Sequence, residues 1–190
     1  MTENYIEPPK ITSREPKLED IDSLRSILER SLIDSETGSP ITEEIQSTLD
    51  RVTGFISDEE TPFRYLIAQS ADGTIIGMMG LTRPDEEMSA YANDPAAAVE
   101  LVNAFVDPEI RKSGAGKKLV EDLLTQARAN GAKEVVVNSG PRYRETGWAF
   151  WARVMSDVKD EERKGYGETA LLKDRYGEGL DAMVWRKDIA

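Results

Sequence analysis

Residues 99–129, VELVNAFVDPEIRKSGAGKKLVEDLLTQARA, pass from an apolar run through a glycine-bearing loop into a helical period. Val99 to Val106 is mostly apolar and has the length of a buried strand. Asp107-Pro108 breaks it, because proline cannot continue a central ladder. Leu119, Leu123, Leu124 and Ala127 then recur at helical spacing. Asn130-Gly131 closes the helix, since both residues tolerate the left-handed conformation of a helix C-terminus. Between strand and helix lies Arg111-Lys112-Ser113-Gly114-Ala115-Gly116. Its two glycines let the backbone turn sharply and approach a ligand closely. The helix start offers N–H groups and the positive end of the helix dipole, which together suit an anion.

Two common phosphate motifs fit this loop badly. A P-loop needs G-x-x-x-x-G-K-[ST], but Arg111 stands at its first glycine and Lys118 at its Ser/Thr. A G-x-G-x-x-G dinucleotide fingerprint fails as well, because Leu119 stands at the third glycine. Strand, Val-Asp-Pro and R-x-x-G-x-G opening a helix instead resemble motif A of the GNAT superfamily of N-acetyltransferases. The resemblance implies that acetyl-coenzyme A is the co-substrate and that the loop cradles its pyrophosphate. Backbone N–H groups from Lys112, Ser113, Gly114, Ala115, Gly116 and Lys117 would serve as ligands beside Arg111. It also implies that Ala104, Phe105 and Val106, at the end of the strand, supply the N–H donor for the oxyanion.

Composition narrows the chemistry. The chain has 190 residues, enough for one domain with a substantial core. It has no apolar run of membrane-spanning length and no basic–apolar leader at its start, so the expectation is a soluble, cytoplasmic protein that uses no membrane. Cysteine and histidine are both absent. That removes disulfides, thiol chemistry, imidazole bases and the usual metal ligands, and no metal is expected. Lys and Arg number 24 against 36 Asp and Glu, a formal charge of −12. Such an excess disfavours nucleic acid as a partner. It suits a cationic acceptor such as an amine, though solubility alone also explains it. A polyanionic coenzyme would need a local basic patch, and Arg111, Lys112, Lys117 and Lys118 provide one. Cations in a first helical turn oppose the dipole, which a phosphate partner would explain.

In chain order, residues 1–9 read as a loose tail with Pro8-Pro9, and residues 10–190 as one domain. Lys10 to Glu15 suits a short strand. Ile21, Leu24, Ile27, Leu28 and Leu32 mark one helix; Ile41, Ile45, Leu49, Val52 and Ile56 mark a second. Phe63 to Gln69 and Thr74 to Leu81 form a hairpin across Ala71-Asp72-Gly73, with Gly77 and Gly80 marking bulges or close backbone approach. Arg83 to Ala97 is a long polar connection, open to use as a substrate-facing loop or as a plain insertion. Lys133 to Asn138 is another strand, Trp148 to Met155 a short helix and Ser156 to Lys164 a charged loop. Gly165-Tyr166-Gly167 punctuates the chain after it. Leu171-Leu172 and Ala182 to Lys187 are the last strands. The fold expected is α/β: a single GNAT-like domain on a mixed, mostly antiparallel sheet. The resemblance implies that this sheet splays open at the acetyl-CoA site.

Two further stretches resemble a bacterial GNAT subset. One is Gly140-Pro141-Arg142-Tyr143-Arg144 with Trp148, Phe150 and Trp151; the other is Tyr176-Gly177-Glu178-Gly179-Leu180-Asp181-Ala182-Met183-Val184-Trp185-Arg186. The resemblance implies a late helix that packs beside the coenzyme, bringing Trp151 to it. The family's usual acid is a tyrosine where this chain has Trp151, and an indole N–H is not a usable acid. Tyr143 is the nearby candidate, and Tyr176 offers a second phenol. Glu100 is the candidate base, at the place where some GNAT enzymes carry a glutamate; burial would raise its pKa and improve it. It reads equally as an exposed or salt-bridged residue near the strand's start. The function expected is acetyl transfer to an amine of a small molecule or protein by direct attack. A non-catalytic acyl-CoA sensor on the same scaffold is the alternative, and a homodimer is left open.

Overall fold

The apolar period of residues 21–32 becomes α1, Ile21–Ser31, which buries Leu24, Ile27 and Leu28. This computed structural model describes residues 10–58, 60–155 and 171–190. The expected N-terminal tail, the charged loop from Ser156 to Lys164 and the Gly165-Tyr166-Gly167 punctuation lie outside the described residues. Ahead of α1, a single 3-10 turn at Leu18–Asp20 is secured by Asp20. Its carboxylate accepts from the Lys17 N–H at 2.7 Å and from Arg14 at 2.7 and 2.8 Å. Gly38, at φ +68, turns the chain towards α2, Thr42–Ile56, whose buried face is Ile45, Thr48, Leu49 and Val52.

Among the described residues, seven strands form one open sheet in the order β1-β2-β3-β4-β5-β7-β6. β1 (Thr12–Arg14) pairs antiparallel with β2 (Arg64–Gln69), from Thr12 opposite Gln69 to Arg14 opposite Ile67. β2 buries Tyr65 to Ala68 without alternation, as does β3 (Ile75–Thr82) from Ile76 to Leu81. An unbroken buried run is what a strand covered on both faces shows. β4 (Ala98–Val106) pairs parallel with β5 (Glu134–Ser139), and the crossover between them carries α4, Ala115–Ala129. β5 pairs antiparallel with β7 (Ala182–Asp188), which carries the two-residue β6 (Leu171–Leu172) on its other edge. One parallel step beside antiparallel ones makes the sheet mixed, as expected.

The chain forms two compact units, and their boundaries fall inside β3, β4 and α4. Among the described residues, the N-terminal unit holds 10–58, 60–61, 65–79 and 103–119; the C-terminal unit holds 62–64, 80–102, 120–155 and 171–190. Gly77 shows why the sequence weakens β3 with glycine. A Cβ there would stand 2.8 Å from the Phe105 carbonyl oxygen and 3.3 Å from Val106 Cα. Both are backbone atoms that cannot swing aside.

In the C-terminal unit, the connection from Arg83 to Ala97 is more ordered than its polar composition suggests. It contains the one-turn helix α3, Glu86–Ser89, capped by the Asp85 side chain on the Met88 N–H at 2.8 Å. Met88 is fully buried against Val136 and Val184, with Tyr91, Ala92 and Leu172 packed around them. The connection's second half is tied down by Glu134, which accepts from the N–H groups of Asn93 and Asp94. The short helix expected from Trp148 to Met155 is present as α5, Ala149–Val154, preceded by a 3-10 turn at Pro141–Tyr143 and a π turn at Arg144–Trp148. No described helix is long and apolar enough to cross a membrane.

Replacing Gly77 by Ala forces β3 and the end of β4 apart. We expect a loss of about 1–3 kcal/mol in urea unfolding, with no change in the unfolding slope. A variant as stable as the parent would refute the close approach.

Candidate active site

In the N-terminal unit, β4 ends in a turn of defined shape. Asp107 accepts from the Glu109 N–H at 3.1 Å, and Arg30 of α1 forks onto both carboxylate oxygens. Partial burial works against the charged carboxylate, but Arg30, the Glu109 N–H and the charge of Arg111 outweigh it and hold Asp107 below the usual range. A 3-10 turn at Pro108–Ile110 follows, and then the basic loop. Lys112 stands at φ +69 and Gly114 at φ +98. A lysine in that region carries strain of order 1 kcal/mol; such strain is held where the surroundings require it. Ser113 Oγ accepts from the Ala115 N–H at 3.3 Å, and α4 begins there, its positive dipole end at the loop. A Cβ added at Gly114 would meet nothing nearer than Ile11 Cδ1, at 3.9 Å, so this face of the backbone is open. Tight turns of this kind gather N–H groups into an anion-binding concavity.

The same unit holds a second backbone outlier. Asn103, inside β4, has φ +49. Its amide is clamped: Tyr65 Oη donates to Asn103 Oδ1 at 2.9 Å, and Asn103 Nδ2 donates to Thr48 Oγ1 at 3.4 Å. Burial pushes the Tyr65 phenol far up, so it stays protonated and keeps donating. A left-handed residue in mid-strand breaks the alternation of the chain. The outer half of β4 accordingly departs from the buried strand expected: Phe105 and Val106 are half-buried and Ala104 is exposed.

In the C-terminal unit lies Glu100, only 5 % exposed. Its Oε1 accepts from Asn138 Nδ2 at 3.0 Å, and the backbone of Asp85 also favours the charged form. Burial and the negative charge of Asp85 push its pKa up to about 7, against the pull of Arg175 and Asn138. Of the two readings open to the sequence, exposed or buried, the structure gives the buried one. Arg175 donates to both Asp85 and Glu87, tying the turn after β6 to the turn before α3. The parallel register of β4 with β5 runs from Ala98–Glu134 to Leu101–Val137 and stops there, although Val102 and Asn138 are still strand.

The other candidates divide. Tyr143 is half-buried at the end of its 3-10 turn. Trp151 is buried, 5 % exposed, with its ring edge-on to Phe150 at 4.9 Å. Trp148 donates to the carbonyls of Ser139 and Gly140, meets Trp185 edge-on at 6.4 Å and lies under the Arg144 guanidinium. Sequence reasoning missed Asn138, Asp85, Arg175 and the Asn103 clamp. Only Tyr176 and the glycines beside it carried any signal of the first group.

The model of the Acetyltransferase (GNAT) family matches residues 21–155. The chain therefore belongs to the GNAT family of acetyltransferases. No curated protein matches it. Among solved structures it is similar to a GNAT-family protein from Desulfovibrio desulfuricans, with 18 % identity, TM-score 0.70, and 95 % of this chain and 100 % of that one covered. It is also similar to the PaiA N-acetyltransferase from Thermoplasma acidophilum in complex with coenzyme A, at 18 % identity and TM-score 0.59 over 94 % and 99 % of the two chains. A third is YncA from Salmonella typhimurium with its cofactor acetyl-CoA, at 15 % identity and TM-score 0.62 over 95 % of each chain. At these identities the likeness shows a shared fold.

A carboxylate whose pKa rises on folding binds its proton more tightly in the folded state. Stability then falls as pH climbs from the ordinary value of 4.5 through about 7, and is flat beyond. Glu100→Gln, which mimics the protonated form, should gain on the parent over that window. The expected gain is on the order of 2 kcal/mol, measured by urea unfolding at pH 5 and pH 8. Equal differences at both pH values would mean that Glu100 is hydrated.

Proposed function

We propose that this protein is an acetyl-CoA-dependent N-acetyltransferase that passes the acetyl group directly to an amine of a small molecule or a protein. The observation that carries this reading is Glu100, a buried carboxylate with a pKa near neutrality on the strand that leads into the basic loop. The geometry of residues 111–117 supports a pyrophosphate site: two left-handed residues, an open backbone face and a helix start, with four cations within Arg111–Lys118. The backbone N–H groups of Lys112 to Lys117, with Arg111, hold the diphosphate. A backbone N–H of Ala104 to Val106 supplies the donor for the thioester oxygen. Trp151, buried in α5, shapes the wall beside the coenzyme.

The acceptor's nitrogen attacks the thioester carbon and the C–S bond breaks. Glu100 takes the proton that the nitrogen sheds, and the thiolate takes one from Tyr143. The −12 charge favours a cationic acceptor, which must lose a proton before attack. Residues 10–190 work as one acetyltransferase domain, in the cytoplasm, either as a monomer or as a homodimer. A second reading has one observation in its favour. Trp151 stands where the family's tyrosine acid would be, which suits a module that binds acyl-CoA without turning it over.

Release of CoA from acetyl-CoA across a panel of primary amines and lysine peptides tests the proposal. With a productive amine, Glu100→Gln should lower kcat/KM about 100-fold, and the parent's rate should rise with pH through about 7. No turnover on a broad panel, with tight coenzyme binding, would favour the sensor. Turnover unaffected by Glu100→Gln would remove Glu100 from the reaction.

A further inference from the structure

Gly140 and Tyr176, one from each of the two later sequence motifs and neither used by the proposed chemistry, meet in the C-terminal unit. A Cβ on Gly140 would lie 2.9 Å from Tyr176 Cε2 and 3.0 Å from its Cδ2, so the Tyr176 ring rests against the bare glycine backbone. Gly140 belongs to the first motif and Tyr176 to the second. The turn that presents Tyr176 is braced from within. Gly177 and Gly179 take φ of +124 and +72, and the Asp174 carboxylate accepts from the Gly179 N–H at 2.6 Å. Asp181 Oδ1 in turn accepts from the Asp174 N–H at 3.0 Å. The spacing Y-G-x-G-x-D therefore has a physical purpose: it fixes where one phenol points.

The phenol points at Asn138. Tyr176 Oη donates to Asn138 Oδ1 at 2.6 Å, and Asn138 Nδ2 donates to Glu100 Oε1 at 3.0 Å. An asparagine amide has a donor end and an acceptor end of nearly the same shape. Only its partners decide which end faces which way. A carboxylate next to the carbonyl end would be repelled; next to the NH2 end it is stabilised. We propose that Tyr176 is a positioning residue for Glu100: its O–H fixes the Asn138 amide so that the NH2 end, rather than the carbonyl end, faces the buried carboxylate. This rests on the reading of Glu100 as the base, but acts through Asn138 and requires no contact between Tyr176 and substrate.

The other charged groups that bear on Glu100 are Asp85, from the turn before α3, and Arg175, beside Tyr176. Arg175 is bound to Asp85 and Glu87, and substitutions at Tyr176 or Asn138 leave all three in place. Removing the phenol's O–H frees the Asn138 amide to rotate. Glu100 then loses its donor for part of the time and holds its proton more tightly.

The test is a 13C NMR titration of the Glu100 side-chain carboxyl, which needs no turnover. Tyr176→Phe keeps the ring on Gly140 and should raise the Glu100 pKa from about 7 by about half a unit or more. Asn138→Leu removes the donor outright and should raise it at least as far. The double variant should add nothing to Asn138→Leu alone, because Tyr176 acts only through the amide. Gly140→Ala, which displaces the ring while leaving the phenol intact, should reproduce the Tyr176→Phe shift and guard against a folding artefact. An unchanged Glu100 titration in a folded Tyr176→Phe protein, or additive shifts in the double variant, would overturn the proposal. If the shifts appear but the pH–rate profile does not follow them, Tyr176 positions Glu100 as proposed and the base role of Glu100 is what fails.

Discussion

The Glu100 carboxylate lies buried in β4, and the groups that meet it come from three distant parts of the chain. Asn138 arrives on β5, the charge of Asp85 on the turn before α3, and the charge of Arg175 from the turn after β6. Removing an ion from water costs several kcal/mol unless donors replace the solvent. Here the replacement is incomplete, and burial raises the carboxylate's pKa to about 7. That compromise explains much of the C-terminal unit. α3 exists as a single turn capped by Asp85, whose carboxylate also binds Arg175. The turn from Lys173 to Leu180 is stiffened by left-handed glycines and two aspartates, as it must be to hold both Arg175 and Tyr176 in place.

The N-terminal unit is organised by a different need, which is to hold backbone in conformations that side chains disfavour. Asn103 and Lys112 both adopt positive φ, and each is flanked by anchors. Tyr65 and Thr48 grip the Asn103 amide, while Arg30 pins Asp107 just ahead of the basic loop. These anchors reach the strand end from α1, α2 and β2, so the core of this unit also serves as the jig for its loop.

The fold was readable where a local period carries it. Leu24, Ile27 and Leu28, then Ile45, Leu49 and Val52, then Leu119, Leu123 and Leu124 marked their helices because each buries one face of one element. The basic loop was readable because glycine, proline and charge are all local signals. Glu100 was identifiable as a candidate, but not its state, which depends on Asn138, 38 residues away. The same applies to Arg30 and Asp107, 77 residues apart, and to Arg175 and Asp85. The strand run of Val99 to Val106 misled in its second half, because apolar composition does not reveal that Asn103 turns left-handed. The motifs around Gly140 and Tyr176 were visible as patterns, yet the reason for them is a contact between the two.

Coenzyme binding by the loop is the central claim, and it can be measured directly. Calorimetric titration with acetyl-CoA and with CoA should show binding by the parent protein. A Gly114→Glu, Gly116→Glu variant should lose it while remaining folded by circular dichroism. The side chain added at Gly114 occupies the open backbone face, and both additions set negative charge against the phosphates. Absence of binding in the folded parent, or equal binding by the variant, would contradict the assignment of this loop as the coenzyme site.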